Sequence, residues 1–146
     1  MIAGVQIVPL RVIPDARGDV MRMLRADDPH FTTFGEMYFS CVNPGVIKGW
    51  RKHTRMVQNL AVPVGQVQVA LYDGRPDSAT YRQVQDVIVG PRENYALVLI
   101  PPGVWNAFKG LGDTASVIAN CASILHDPAE SEMRPLDDPP VAFAWK

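Results

Sequence analysis

The most informative part of the sequence for the fold is Gly45-Val46-Ile47-Lys48-Gly49-Trp50-Arg51-Lys52-His53, which is followed by Gln58 and Gly65. Five residues separate Gly45 from Arg51, one separates Arg51 from His53, four separate His53 from Gln58, and six separate Gln58 from Gly65. Glycine is favoured where a strand ends in a tight turn, because it adopts backbone conformations that other residues avoid. The stretch therefore predicts polar side chains on β-structure between two turns.

Short strand-like runs surround this stretch on both sides. Thirteen prolines and eleven glycines divide the 146 residues into short segments. Runs rich in Val, Ile, Leu and Tyr occupy residues 4–13, 19–25, 34–43, 56–72, 81–89, 95–100 and 115–122. None has apolar residues at helical spacing over three turns. Many short strands without helices between them indicate an antiparallel sandwich or barrel.

The basic residues of the first stretch have strand spacing. Arg51, His53 and Arg55 are two residues apart, so on a strand they share one face. If that face lines a barrel, it forms an anion- or carbonyl-binding wall with one titratable imidazole. The alternative is a solvated edge or loop.

The glycine and polar spacing resembles the first cupin motif, and Pro101-Pro102-Gly103-Val104-Trp105-Asn106 resembles the second. Both motifs in this order predict an all-β fold: one cupin domain over residues 1–146, a double-stranded β-helix or jelly-roll antiparallel barrel. The proline-rich and acidic tail, 127–146, is expected to wrap the surface as a loop, with the apolar residues 141–145 docking on the domain.

The resemblance puts metal ligands at four positions, and this chain has other residues at three of them. The motifs expect His, His, Glu and His where Arg51, His53, Gln58 and Asn106 stand. Arginine does not lose its proton to coordinate a metal, and amide carbonyls are weak ligands for transition metals. We therefore expect no bound metal; a metal cupin with unusual ligands is the less favoured alternative.

Further segments make the resemblance more specific. Asp15-Ala16-Arg17-Gly18, Asp73-Gly74-Arg75-Pro76-Asp77-Ser78-Ala79-Thr80 and the segment 100–108 resemble, in order, segments of the dTDP-4-dehydrorhamnose 3,5-epimerase family and its sugar-nucleotide-modifying relatives. The resemblance covers about residues 15–110. It implies proton abstraction beside the keto group of a nucleotide-activated 4-keto-sugar, without metal or organic cofactor.

The resemblance also suggests a role for each basic residue of the site. The epimerases' catalytic His falls on Arg51, whereas His53 matches the second His of the related 3,4-ketoisomerases. His53 is therefore the expected base. Arg51 and Arg55 would hold an enolate or phosphate, and Lys48 and Arg17 would assist with the diphosphate.

The remaining candidate residues are aromatic or carry amides. The family's tyrosine acid has no clear counterpart, so Tyr38 and Tyr72 are the candidate acids. Gln58, Asn106 and Trp105 are candidate substrate-binding residues, although packing at the barrel mouth is the favoured role for Trp105. The rival hypothesis is a non-catalytic cupin that binds a sugar nucleotide or another small polar ligand and has lost the catalytic His.

The charge and composition of the chain limit the kinds of partner that it could bind. Fourteen basic and 15 acidic side chains give a net charge of −1, which argues against nucleic-acid or membrane-surface binding by bulk charge. The N-terminus lacks the basic lead of a signal peptide, so a cytoplasmic protein is expected. An apolar first strand, 5–13, and the need to cover strand edges predict a homodimer. The resemblance implies that Arg17 would then reach the partner's pocket.

Overall fold

The protein, described here by a computed structural model of residues 1–146, is built from short strands and one 3₁₀ turn. The strands are β1 (Gln6–Pro9), β2 (Val12–Ile13), β3 (Val20–Met21), β4 (Glu36–Val42), β5 (Ile47–His53), β6 (Gln58–Val64), β7 (Val67–Asp73), β8 (Val84–Val89), β9 (Ala96–Ile100), β10 (Val104–Gly110), β11 (Ser116–Ala122) and β12 (Ser131–Met133). The 3₁₀ turn spans Pro128–Glu130. No helix is long and apolar enough to cross a membrane.

Two antiparallel five-stranded sheets make up the domain. The first sheet has the order β1-β9-β6-β11-β4, and the second has the order β12-β5-β10-β7-β8. Strands β2 and β3 form a separate ribbon near the N-terminus. Sequence neighbours often lie in different sheets, as in a jelly roll. The predicted all-β antiparallel jelly-roll fold is confirmed.

The apolar core fills the space between the inner faces of the two sheets. It contains Leu60 and Val62 from the first sheet and Val67, Val69 and Leu71 from the second, all at most 3% exposed. Each set is spaced by two residues, which places its members on one face of a strand. The core therefore holds the sheets together and leaves room for a cavity where polar residues replace these apolar ones.

The C-terminal tail contributes a strand that the sequence did not predict. β12 pairs with the edge strand β5, with Ser131 opposite His53 and Met133 opposite Arg51. The expectation of a loop throughout 127–146 is therefore wrong for these three residues. A strand this short has no readable alternation, and backbone hydrogen bonding to an exposed edge is enough to form it.

The end of the tail packs on the outer face of the second sheet. Trp50 is 1% exposed there and contacts Phe143 and Trp145, with ring centroids 6.3 and 6.2 Å away. These edge-on and tilted aromatic contacts are favourable geometries. β5 is thus covered on its outer face, and its inner face is left to form the site.

The acidic hairpin after β7 anchors the N-terminus. Asp73 is fully buried, and it accepts hydrogen bonds from Arg75, Ser78 and Thr80. The Arg75 guanidinium, aided by the two hydroxyls, holds the pKa of Asp73 well below its usual range. Arg75 and Thr80 also bond the backbone of Ala3. This motif has a structural role and does not line the cavity between the two sheets.

Candidate active site

A cavity of about 310 Å³ lies between the inner faces of the two sheets. Its lining from the first sheet is Tyr38, Phe39, Ser40, Gln58, Leu60, Ile118 and Asn120, and from the second sheet it is Lys48, Gly49, Arg51, Asn106, Phe108 and Met133. The lining contains cations, amides and one phenol, but no carboxylate. Five of the residues singled out from the sequence meet here: Tyr38, Lys48, Arg51, Gln58 and Asn106.

A close approach between β5 and β10 shapes the cavity wall. Gly49 has a φ of +140°, and a Cβ at this position would stand 2.4 Å from the Ala107 Cβ. The β5–β10 register also shifts between Asn106 and Ala107. Only glycine fits such a position without displacing the neighbouring strand.

Arg51 provides a half-buried cation next to buried amides. Its Nη2 donates to the Met133 sulfur over 3.3 Å, and its carbonyl accepts from Asn106 Nδ2 over 3.2 Å. Asn106 Nδ2 also donates to Gln58 Oε1 over 2.7 Å. No carboxylate pairs with Arg51, so its positive charge is available to a negatively charged ligand group.

Lys48 is an exposed cation at the cavity rim. Its Nζ donates to Ser40 Oγ over 2.7 Å and to the Cys41 carbonyl over 3.1 Å. Both acceptors belong to β4, so Lys48 reaches from the second sheet across to the first. Its charge therefore lies on the β4 side of the opening.

Tyr38 is the phenol of the cavity, and its orientation is fixed by a neighbour. Asn120 Nδ2 donates to Tyr38 Oη over 2.8 Å, while Asn120 Oδ1 accepts from the Asn59 amide over 3.1 Å. The amide of Asn120 is thus held at both ends. Because Tyr38 Oη accepts this bond, its own proton remains free for a group in the cavity.

His53 is sealed away from the cavity. It is 4% exposed, and its Nδ1 is hydrogen-bonded to Glu130, which is 3% exposed. Glu130 also accepts from the amides of Arg55 and Met56 over 3.1 and 3.2 Å. Burial alone would raise the pKa of Glu130, but these hydrogen bonds outweigh it and hold the pKa below its usual value. His53 is not among the lining residues.

Arg55 and Arg17, the two other arginines that were site candidates from the sequence, also lie outside the cavity. β5 ends at His53, so the expectation that Arg55 continues the same strand face is wrong. Arg55 lies on the surface and pairs with Asp127 over 2.8 Å. Arg17 lies near the N-terminal ribbon, where its exposed guanidinium pairs with Asp15 over 2.9 Å. Within one chain, neither contributes to the cavity.

Tyr72 and Trp105 face away from the cavity. Trp105 is 6% exposed in the aromatic cluster on the outer face of the second sheet, and Tyr72 packs against that cluster. Lys52 lies over Trp105, with its Nζ 4.9 Å from a ring centroid. Strand alternation places these side chains on the opposite side from Arg51 and Asn106.

Three contributing residues were missed from the sequence: Asn120, Glu130 and Met133. Glu130 stands in an acidic, proline-rich segment that resembles a surface loop, so nothing in its context predicted burial.

The structure contains no cluster typical of a metal site. No group of three or more His, Cys, Asp or Glu side chains is arranged to hold an ion. The cavity amides and cations are poor ligands for transition metals.

Comparison with known proteins assigns the family. The family model described as dTDP-4-dehydrorhamnose 3,5-epimerase matches residues 1–146. This chain belongs to that family. The resemblance carried by the sequence motifs is therefore confirmed.

Family relatives match over nearly their full length. The chain is 33% identical to the Bacillus subtilis "Spore coat polysaccharide biosynthesis protein SpsL", covering 99% of this chain and 97% of SpsL. It is 30% identical to the Haloferax volcanii "Probable low-salt glycan biosynthesis epimerase Agl13", covering 99% and 94%. The crystal structure of a dTDP sugar isomerase from Desulfovibrio desulfuricans G20 has 46% identity and a TM-score of 0.95, with 99% and 92% covered.

Proposed function

We propose that this family member is an isomerase of a nucleotide-activated 4-keto-sugar, and that it moves a proton on a carbon next to the keto group. The observation that carries the proposal is the meeting of Tyr38 with the unpaired cations Arg51 and Lys48 in one cavity. A proton carrier beside fixed positive charge is what enolisation of a ketone needs. The family and its named relatives support a sugar-nucleotide substrate.

Five of the cavity residues have proposed roles. Arg51 stabilises the enolate oxygen, because its charge is permanent and its planar fork holds an oxygen at a fixed place. Lys48, at the rim, binds the diphosphate. Gln58 and Asn106 hydrogen-bond the sugar hydroxyls. Tyr38 transfers the proton.

The proton carrier proposed here differs from the one expected from the sequence. A general base must come within hydrogen-bond reach of the proton that it removes. His53 lies two residues beyond Arg51 on β5, about 7 Å along the strand, and its imidazole is enclosed with Glu130. Tyr38 lines the cavity, which makes it the better candidate.

The absence of an imidazole from the cavity lining favours a second function, the binding of a sugar nucleotide without conversion. Two positions where the cupin motifs expect His are Arg51 and Asn106, and no imidazole lines the cavity. A protein that binds a sugar nucleotide without converting it would have this lining as well. Arg51 and Lys48 would then bind the ligand's negative charges only.

Solvent deuterium incorporation separates the two functions. The wild-type protein is incubated in D₂O with a panel of dTDP-linked 4-keto-sugars, and the sugars are analysed by NMR. Calorimetric titration with dTDP measures binding in the same preparation. Binding with exchange supports the isomerase. Binding without exchange of any substrate contradicts it and supports the binding protein.

We also propose a homodimer in which Arg17 enters the partner's cavity. Arg17 is about 90% exposed, and its cavity role requires a second chain. Sedimentation at micromolar concentration should show a dimer, and a monomer at that concentration would contradict the proposal.

A further inference from the structure

The two walls of the cavity differ in their ability to carry protons. The first sheet contributes Tyr38, whose hydroxyl can give and take a proton. The second sheet contributes Arg51, Asn106, Phe108 and Met133 to the facing wall. An amide, a phenyl ring and a thioether do not transfer protons in water, and a guanidinium stays protonated at any accessible pH.

The two other ionisable groups near the second sheet do not change this asymmetry. Lys48 originates from β5, but its ammonium is hydrogen-bonded to Ser40 and Cys41 of β4, on the same side as Tyr38. His53 is enclosed with Glu130 and does not line the cavity. Inversion of a carbon requires a proton to leave one face and another to arrive at the opposite face. The facing wall has no group to do this.

We infer that proton transfer in this cavity is confined to one face of the sugar, so that the reaction moves the keto group and inverts no carbon. The inference rests on the proposed isomerase function and specifies its outcome. It predicts a sugar 3,4-ketoisomerisation, with Tyr38 acting on both carbons from the first-sheet side.

The proposed steps conserve atoms and electrons. The Tyr38 hydroxyl first gives its proton to solvent, and the resulting phenolate takes the proton from C3. The C3–H electron pair forms the C3=C4 double bond, and the C4 carbonyl electrons move to the oxygen beside Arg51. A proton passes from the C3 hydroxyl to this C4 oxygen. The electrons on the C3 oxygen then form the C3 carbonyl, and the double-bond electrons take the proton of Tyr38 at C4 on the same face. Tyr38 is left as the phenolate again. No oxidant or reductant is needed.

The test measures the stereochemistry of exchange. A dTDP-linked 4-keto-6-deoxyhexose is incubated with the wild-type protein in D₂O, and NMR locates the deuterium and the configuration of each carbon. We expect deuterium at C3 of recovered substrate and at C4 of a 3-keto product, with no inverted carbon. An inverted C3 or C5 overturns the inference and leaves the isomerase function standing. Absence of all exchange overturns both.

Substitution of Arg51 tests the cause of the asymmetry. Arg51→His places a titratable imidazole on the wall opposite Tyr38, so the ratio of inverted to retained product should rise by about tenfold or more. The matched control Arg51→Met removes the charge, adds no proton carrier and should give no inversion. Inversion by Arg51→Met at the level of Arg51→His overturns the inference.

A second variant keeps the test valid if the substitutions at position 51 do not fold. Tyr38→Phe retains the ring and removes the hydroxyl, and its folding can be checked by thermal unfolding. Exchange should disappear at C3 and C4 together, because one group serves both carbons. Exchange that persists at either carbon overturns the inference.

Discussion

Arg51 and His53 lie on the same face of β5, two residues apart, yet their surroundings are opposite. Arg51 borders a cavity and pairs with no carboxylate, whereas His53 is 4% exposed and bonded to a buried glutamate. The difference comes from the tail, because the 3₁₀ turn that ends at Glu130 covers the end of β5. Strand alternation thus determines the direction of a side chain, but a distant segment determines whether a ligand can reach it.

Substitutions in the buried region around His53 and Glu130 should lower the stability of the protein. Glu130→Ala leaves His53 Nδ1 and two backbone amides without their acceptor inside the protein. Leaving one buried donor without its acceptor costs about 1–3 kcal/mol, and three donors lose theirs here, so we expect a loss of about 3–5 kcal/mol. Urea unfolding should show a loss in this range. A loss below about 1 kcal/mol would mean that Glu130 is not a structural anchor.

Acid should weaken the same region. The pKa of Glu130 is lowered in the folded protein, so its stabilising contribution is fully present above the ordinary glutamate pKa of about 4.3. The contribution is lost as the pH falls through the lower folded value. Unfolding free energies measured from pH 6 to 3 should therefore fall less steeply in Glu130→Gln than in the wild type. Parallel curves would contradict this.

Substitution of the exposed residue Arg55, next to this region, should have the smallest effect on the unfolding free energy. Arg55 pairs with Asp127 on the surface, and such pairs contribute about 0–1 kcal/mol. Arg55→Ala should therefore shift the unfolding free energy by less than about 1 kcal/mol and leave dTDP affinity unchanged. A clear loss of dTDP binding would restore the role expected for Arg55 from the sequence.

The sequence contained enough to predict the fold and some of the residues that line the cavity. The glycine spacing and the two motifs placed Lys48, Arg51, Gln58 and Asn106 together, because these residues lie on strands whose register the motifs define. The site residues contributed by the tail were not predictable in this way. Glu130 and Met133 approach β5 from about 80 positions away along the chain, and no local periodicity encodes that approach.

The positions of the two candidate tyrosines, Tyr38 and Tyr72, could not be predicted from the sequence either. Tyr38 and Tyr72 are equally plausible acids in sequence, since each lies in a strand-like run. The structure places Tyr38 in the cavity beside Asn120 and places Tyr72 on the outer face near Trp105. A one-residue difference in strand phase reverses the face, and the sequence alone did not define that phase.

The most direct test compares the open cavity with the sealed pair in one assay. The rate of solvent deuterium exchange into a dTDP-linked 4-keto-sugar is measured for Tyr38→Phe and His53→Asn, each normalised to folded protein. We predict a loss of about 10²- to 10⁴-fold for Tyr38→Phe and a change of less than about tenfold for His53→Asn. Abolished exchange in His53→Asn, with exchange retained in Tyr38→Phe, would contradict the account and make His53 the base.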